Sequence, residues 1–491
     1  MKLSISDGVT ERLSQYLAAL GVHLWDSRQR ASFAMYMLGL LSDIPHKSVE
    51  SIAALFACGP EDADAIHQKL LHFLSTAPWP DDKVRRTAAC WALSEMTKKA
   101  PLQTLIIDDT SFVKSGEHSV GVQRQYCGTL GKVANCQVVV SLTAATERTH
   151  TTLDLKLYLP QKWTDSQELR KQANIPTEIT FQTKPELALQ MLADAQKNGV
   201  PDALVLADAA YGDNESFRKG VRLLKLHYAV GIQLATTVQL VRNEEEVASV
   251  KDLLERVKAR PFRRYTWREG TRKKLTARFA FFPVRIPKSD SQEPLWLIIE
   301  RRDGSSQTDR AHLCSLPQRT PRKKLVYLLK ERWCTEAAYQ ESKQQLGMDE
   351  YQGRLYPGLQ HHLTSVLCTY SFIVAERERN WTEGEPRSGH MQRTAQILQR
   401  HAPYSVATLR KRIALAVTPW LLEWIGPLPS RPNRTPHHSA HPPLASSAGG
   451  SPPCPKPKKA IPCITIRVRS RIHALCLSGA HDEAERGCSS V

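Results

Sequence analysis

Up to about residue 98, apolar side chains recur at helical spacing in ERLSQYLAAL, RASFAMYMLGLLSDI, VESIAALFA, DADAIHQKLLHFL and KVRRTAACWALSEM. Gly59-Pro60 and Pro78-Trp79-Pro80 punctuate these runs. The pattern predicts an N-terminal helical domain over 1–98. Within it, Ser48 to Leu74 suits a helix, a short turn and a second helix, an arrangement many DNA readers use. A plain helical bundle is the competing reading, since this segment carries little positive charge.

From Leu102 the period changes. Leu105-Ile106-Ile107 leads into Asp108-Asp109, and QVVVSLTA and LDLKLYL follow as strand-like runs. Lys184 to Asn198 reads as an amphipathic helix stopped by Gly199. Ala203 to Asp208 and His227 to Ile232 are further strands. The order β-β-β-α-β predicts an α/β ribonuclease H-like core, a mixed sheet with flanking helices, beginning at 99–232. Residues 233–320 interrupt it with strand-like runs (Leu275 to Ile286, Leu295 to Glu300) and a helical piece, Val247 to Val257, and read as a β-rich insertion. Thr320-Pro321 opens a long helix to Leu346, and helices continue to Trp424, so 321–425 is the second part of the core.

The tail, 426–491, differs in kind. Between Pro427 and Pro462 fall 11 of the 30 prolines, a composition that buries too little apolar area to offset ordering entropy, so the tail is expected to be disordered. It is also basic. The whole chain carries 67 Lys+Arg against 49 Asp+Glu, net +18, which draws in polyanions, nucleic acid first. The longest nearly apolar run, Leu363 to Ala375, is short of the about 20 residues that span a bilayer. Eleven scattered cysteines without a CxxC pair argue for reduced thiols and a cytoplasmic setting, and provide no zinc framework.

Against this frame three acids carry the chemistry. Asp109 in LIIDDT and Asp208 in LVLAD end buried-strand patterns, while Glu336 in RWCTEAAYQESK lies on the long helix. Carboxylates on two strand ends and one helix suit hard divalent cations, which take oxygen ligands and can act as a pair at a phosphodiester. Strand alternation lets only one of Asp108 and Asp109 face a given site. Asp109 is the choice because it begins the Asp-Thr step nearest the strand exit, with Asp108 in reserve. A helical period of about 3.6 residues puts Arg332, Glu336 and Lys343 on one face, where the two cations can hold phosphates. An ordinary exposed helix also displays such ladders.

Between Arg256 and Arg278 the basic residues include Arg263, Arg264, Arg268, Lys273 and Lys274 against the one acid Glu269, with Phe262, Tyr265 and Trp267 interleaved. That pattern favours DNA contact through phosphates, with Trp267 a candidate base-stacking residue, over a solvated hairpin with inward aromatics. Lys114, His118, Arg124 and Lys132 border the first hairpin as further candidate phosphate contacts. His361 and His362 read as a packed pair rather than metal ligands.

IIDDTSFVKSGEHSVGVQRQYCGTLGKVANCQVVVSLTAAT, VLADAAYGD and ERWCTEAAYQESKQQLG together resemble the DDE transposases of bacterial insertion sequences, in the branch with a Tyr–Arg–Glu–Lys signature. The similarity runs from about residue 28 to 375. It implies a ribonuclease H-like core with Asp109, Asp208 and Glu336 at the family's catalytic, metal-binding positions, and two Mg2+ ions, with Mn2+ as a substitute. Arg332 and Lys343 match the signature cations, whereas Leu329 stands at the Tyr position, with Tyr327 two residues earlier. The resemblance further implies cleavage at terminal inverted repeats, transfer of the 3′-hydroxyl into target DNA, and a homodimer holding two ends at the nucleoid. A domesticated DNA-binding derivative and a stand-alone nuclease of the same fold are the alternatives.

Overall fold

The computed structural model describes residues 8–256, 261–269, 274–287, 291, 293–301, 309–380 and 405–425; the Pro-rich tail lies outside them. Five helices come first: α1 (Val9–Gly21), α2 (Ser27–Leu41), α3 (Val49–Phe56), α4 (Pro60–Ser75) and α5 (Asp81–Thr97). Their starts follow local chemistry. Asp26 accepts from the Gln29 amide (2.7 Å) and Ser48 from the Ser51 amide (3.1 Å), satisfying amide donors that the first turn leaves open. The α3–α4 pair has the helix, turn, helix order that the spacing predicts.

The first part of the core is β1 (Leu102–Val113), β2 (Gln123–Cys127), β3 (Lys132–Thr146), β4 (His150–Tyr158), the short helices α6 (Gln161–Asp165) and α7 (Gln167–Ala173), then α8 (Lys184–Lys197), β5 (Leu204–Ala207), α9 (Ala209–Gly212), α10 (Glu215–Leu223) and β6 (Tyr228–Ile232). A reciprocal capping box opens α8: the Thr183 hydroxyl accepts from the Glu186 amide and the Glu186 carboxylate from the Thr183 amide. β1 pairs antiparallel with β3 and parallel with β5, and β5 pairs parallel with β6. This is the mixed, helix-flanked sheet expected of a ribonuclease H-like core.

The insertion holds β7 (Thr237–Leu240), β8 (Asn243–Ser249), α11 (Val250–Arg256), β9 (Arg263–Glu269), β10 (Lys274–Arg285), β11 (Leu295–Arg301) and β12 (Arg310–Cys314). The start of the helical piece expected from Val247 is strand instead. More consequentially, β12 pairs with β6, so the insertion's strands extend the core sheet to twelve, in the order β2-β3-β1-β5-β6-β12-β11-β10-β7-β8 with β4 on β3 and β9 on β10. The chain then forms α12 (Arg322–Leu329), a 3-10 turn at Lys330–Arg332, α13 (Trp333–Leu346), α14 (Tyr356–Asn380) and α15 (Val406–Ile425). The single long helix expected from Thr320 is therefore broken in two just before the Glu336 turn.

Alternation along the strands builds two cores. Leu105, Ile107, Val140, Val205 and Val230 pack on Leu187, Met191, Phe217 and Val221 of α8 and α10. Ile106, Leu206, Ala229 and Ile298 pack on the other side against Leu325 and Leu328 of α12 and Cys334 of α13. α14 is buried along nearly its whole length and shares a third core with the N-terminal helices, where Tyr16, Leu20 and Phe33 meet Leu363, Val366 and Phe372. Each such side chain contributes about 1.5–3 kcal/mol on burial. Buried Arg85 stitches the layers, donating to Asp81 (2.5 Å), Asp154 of β4 (2.6 Å) and Thr364 of α14 (2.6 Å). The His361 ring stacks on Trp79 at 3.8 Å and His362 bonds Tyr36 at 2.8 Å, so the histidine pair serves packing. Among the described residues no helix is long and apolar enough to cross a membrane, and the described cysteines are unbridged.

Candidate active site

β1 delivers two adjacent carboxylates to opposite faces of the sheet. Asp108 follows Ile106 toward α13, where its Oδ2 accepts from Arg332 Nη1 at 2.7 Å. Its Oδ1 accepts from the Asp109 amide at 2.9 Å, so both oxygens are engaged. Asp109 follows Leu105 and Ile107 toward α8, where its Oδ2 meets Lys184 Nζ at 2.6 Å. Nothing local in the sequence marks Lys184 as a partner, because α8 reaches β1 only through the fold. Burial pushes the Asp108 carboxyl up to about 7; the Arg332 charge pulls it back, while the charges of Asp208 and Asp109 add to the rise.

Asp208 leaves β5 and caps α9, accepting from the Ala210 amide at 2.9 Å. The turn beyond it is tight: a Cβ on Gly212 would stand 1.8 Å from the Gly231 carbonyl oxygen of β6, so only glycine fits. Asp213 accepts from the Gln233 amide (2.9 Å) and the Thr236 hydroxyl (3.1 Å), a loop-fastening role.

α13 is fastened to β3 by hydroxyls: Thr335 to Thr143 at 3.1 Å and Tyr339 to Ser141 at 2.5 Å. This sets Glu336 one turn from Arg332, whose Nη2 reaches Glu336 Oε1 at 3.3 Å. Burial works against the Arg332 charge, but the carboxylates of Asp108, Asp208 and Glu336 outweigh it and hold the guanidinium above its ordinary value. Arg332 thus stands amid three of the four acids. Lys343, one face along, donates to the Ser111 carbonyl (3.0 Å) and the Thr129 hydroxyl (3.2 Å) at the first hairpin, and burial lowers its pKa. Leu329 is buried in the α12 core, and Tyr327 is partly buried with Lys324 Nζ 5.6 Å from its ring.

A cleft of about 980 Å3 opens beside these acids toward the insertion, lined by Asp208, Glu336, Arg332, Trp333, Trp267, Arg268, Lys274, Lys330, Glu300 and His312, among others. The Arg268 guanidinium lies 4.2 Å over the Trp333 ring, and Lys330 bridges Glu300 at 2.5 Å while sitting 4.7 Å over Trp267. Trp267 is half-buried, edge-on to Phe279 at 6.0 Å. The basic stretch therefore divides. Arg263, Arg264 and Lys274 are exposed, Arg268 turns into the cleft, and Lys273 lies outside the described residues. Lys114 gives its Nζ to the Tyr351 carbonyl at 2.6 Å. The cleft residues Lys330, Glu300 and His312 carried no sequence signal, coming from separate elements.

The donor set at this site is all carboxylate oxygen, the chemistry hard divalent cations take. Among the described residues, however, no three His, Cys, Asp or Glu side chains converge to grip one ion. Arg332 and Lys184 are paired with the acids instead.

The model for the DDE superfamily endonucleases matches residues 19–274, more than half of the chain, and takes in β1 and β5 with their acids but ends before α13. A relative described as a "Probable transposase for insertion sequence element IS701", from Microchaete diplosiphon, is 26% identical over 351 residues, covering 71% of this chain and 83% of the relative. With this match spanning the strands that carry the acids, the chain belongs to the DDE superfamily endonucleases.

Proposed function

We propose that this protein is an insertion-sequence transposase that cleaves DNA at terminal inverted repeats and joins the freed 3′-hydroxyl to target DNA. The observation that carries this reading is the gathering of strand-end Asp208 and helix-borne Glu336 on one cleft around Arg332, with Asp108 beside it in the middle of β1, which runs on to Val113 instead of ending at the aspartates. Asp208 and Glu336, with Asp108 taking the place of Asp109, are the residues that would hold Mg2+, or Mn2+ in its place. Two such ions, if bound there, would supply Lewis acidity to a phosphodiester. Between the paired aspartates, Asp108 is favoured over the Asp109 chosen on the sequence: it lies on the α13 face beside Arg332, which also faces Asp208 and Glu336, whereas Asp109 turns to Lys184 on the opposite face.

The chain's own cations do the holding. Arg332, freed from Asp108 and Glu336, is placed to take a phosphate beside the carboxylates; Lys343 fixes the hairpin to α13; Arg268 and Lys274 line the cleft itself, and the exposed Arg263 and Arg264 take phosphates farther from the cut. Trp267, at the cleft wall, offers a ring face to an unpaired base. Two protomers would hold two ends in a synaptic complex, in the cytoplasm at the nucleoid. The test is incubation of the purified protein with duplex carrying the repeats that flank its gene, plus supercoiled plasmid, with and without Mg2+. Metal-dependent nicks and joined products support a transposase. Nicks without joined products indicate a nuclease, and binding without nicks a non-catalytic derivative.

A further inference from the structure

The β2–β3 hairpin exposes an apolar surface that the proposed chemistry does not use. Tyr126 is 65% exposed, Val133 57% and Leu130, at the tip, 45%. Tyr126 and Val133 are direct cross-strand partners, so they present one continuous step rather than scattered contacts. Apolar groups this exposed on a hairpin at the sheet's edge cost solubility unless a partner covers them.

Three features say what that partner is. The first is charge: no carboxylate occurs from His118 to Thr146, while Arg124 and Lys132 flank the step and are exposed. A second copy of this chain, itself net +18, would bring like charge to like charge; a polyanion would not. The second is direction. Strand register places Arg124, Tyr126 and Val133 on the same face as Phe112 and Asp108, the face on which α13 lies. From Ser141, opposite Asp108, to Val133 is about 26 Å along β3, which matches about eight base pairs of duplex. The third is rigidity. Lys343 of α13 donates to Ser111 and Thr129, Thr129 donates to the Ser111 carbonyl at 2.9 Å, and the Gly128 amide donates to the Ser111 hydroxyl at 3.2 Å. The hairpin is thereby held at a set distance from Glu336.

We infer that the Tyr126–Leu130–Val133 step is an apolar wedge for duplex DNA, seated between base steps while Arg124 and Lys132 take the adjoining phosphates. Side chains of this kind unstack a step and kink the duplex by about 20–90°. The inference rests on the DNA-acting reading above and adds to it a second contact, about eight base pairs from the cut, that deforms DNA.

The experiment uses the full chain and a panel of duplexes carrying 2-aminopurine at successive positions on either side of the repeat end. Wild type should raise the emission at one step, reporting lost stacking. The double variant Tyr126→Ala/Val133→Ser should abolish that rise and weaken binding by about tenfold, whereas Tyr126→Phe should keep it. Because these side chains are exposed, both variants should melt as wild type does. An undiminished rise in the double variant overturns the wedge, as does a change in self-association with emission unaltered. Failure of wild type to bind any duplex takes down the DNA-acting reading and the wedge with it. A loss confined to the double variant, with binding otherwise present, supports the wedge alone.

Discussion

Asp108 and Asp109 are neighbours with opposite surroundings, and the difference is a matter of which face of the sheet each one serves. Arg332 and the Asp109 amide occupy Asp108, while Lys184 holds one oxygen of Asp109. Asp108→Asn should therefore remove strand cleavage by about a thousandfold or more, since it deletes a proposed ligand. Asp109→Asn should cost about tenfold, through the lost tie between β1 and Lys184. Single-turnover nicking of a labelled duplex compares the two, and the reverse order would return the ligand role to Asp109. The sequence favours Asp109 for its place nearest an apparent strand exit, but β1 runs on to Val113; strand alternation says that the two diverge and not which face the glutamate helix covers. The partners that decide it, Lys184 and Arg332, lie 75 and 224 residues away.

At the scale of elements, the site depends on two tight packings. The turn after Asp208 tolerates no side chain at Gly212, because β6 passes beneath it. Gly212→Ala should push α9 off β6, destabilise the fold by about 2 kcal/mol or more and depress cleavage beyond what that loss explains. Thermal melts beside nicking rates test it, and a normal rate would mean that the turn does not position Asp208. α14 supplies the second. Burial lowers the His362 pKa to about 4 and also lowers that of His361. A depressed histidine favours the folded state above the unfolded value near 6.5 and loses that contribution as pH falls toward 4. Urea midpoints should thus drop between pH 6.5 and 4, and His362→Phe should flatten that slope; an equal slope in both proteins would assign the acid loss elsewhere. Strand and helix order through β6 was legible because buried strands and an amphipathic α8 have distinct periods. The break at Lys330–Arg332 was not, since the residues on either side keep a helical pattern and only packing against the sheet reveals the kink.

Across the whole molecule, the insertion is a continuation of the catalytic sheet rather than an attachment to it, because β12 bonds directly to β6. Its basic and aromatic residues thereby form the far wall of the cleft that holds Asp208 and Glu336. That wall was half legible: the density of Arg and Lys marked a polyanion surface, but the inward turn of Arg268 onto Trp333 depends on tertiary contact. The most direct measurement of the central claim is Mg2+-dependent nicking of the repeat-end duplex by Asp108→Asn, Asp208→Asn and Glu336→Gln, run beside their DNA affinities. Loss of nicking in all three with binding kept near wild type is the predicted result, and wild-type nicking by any one of them would contradict it.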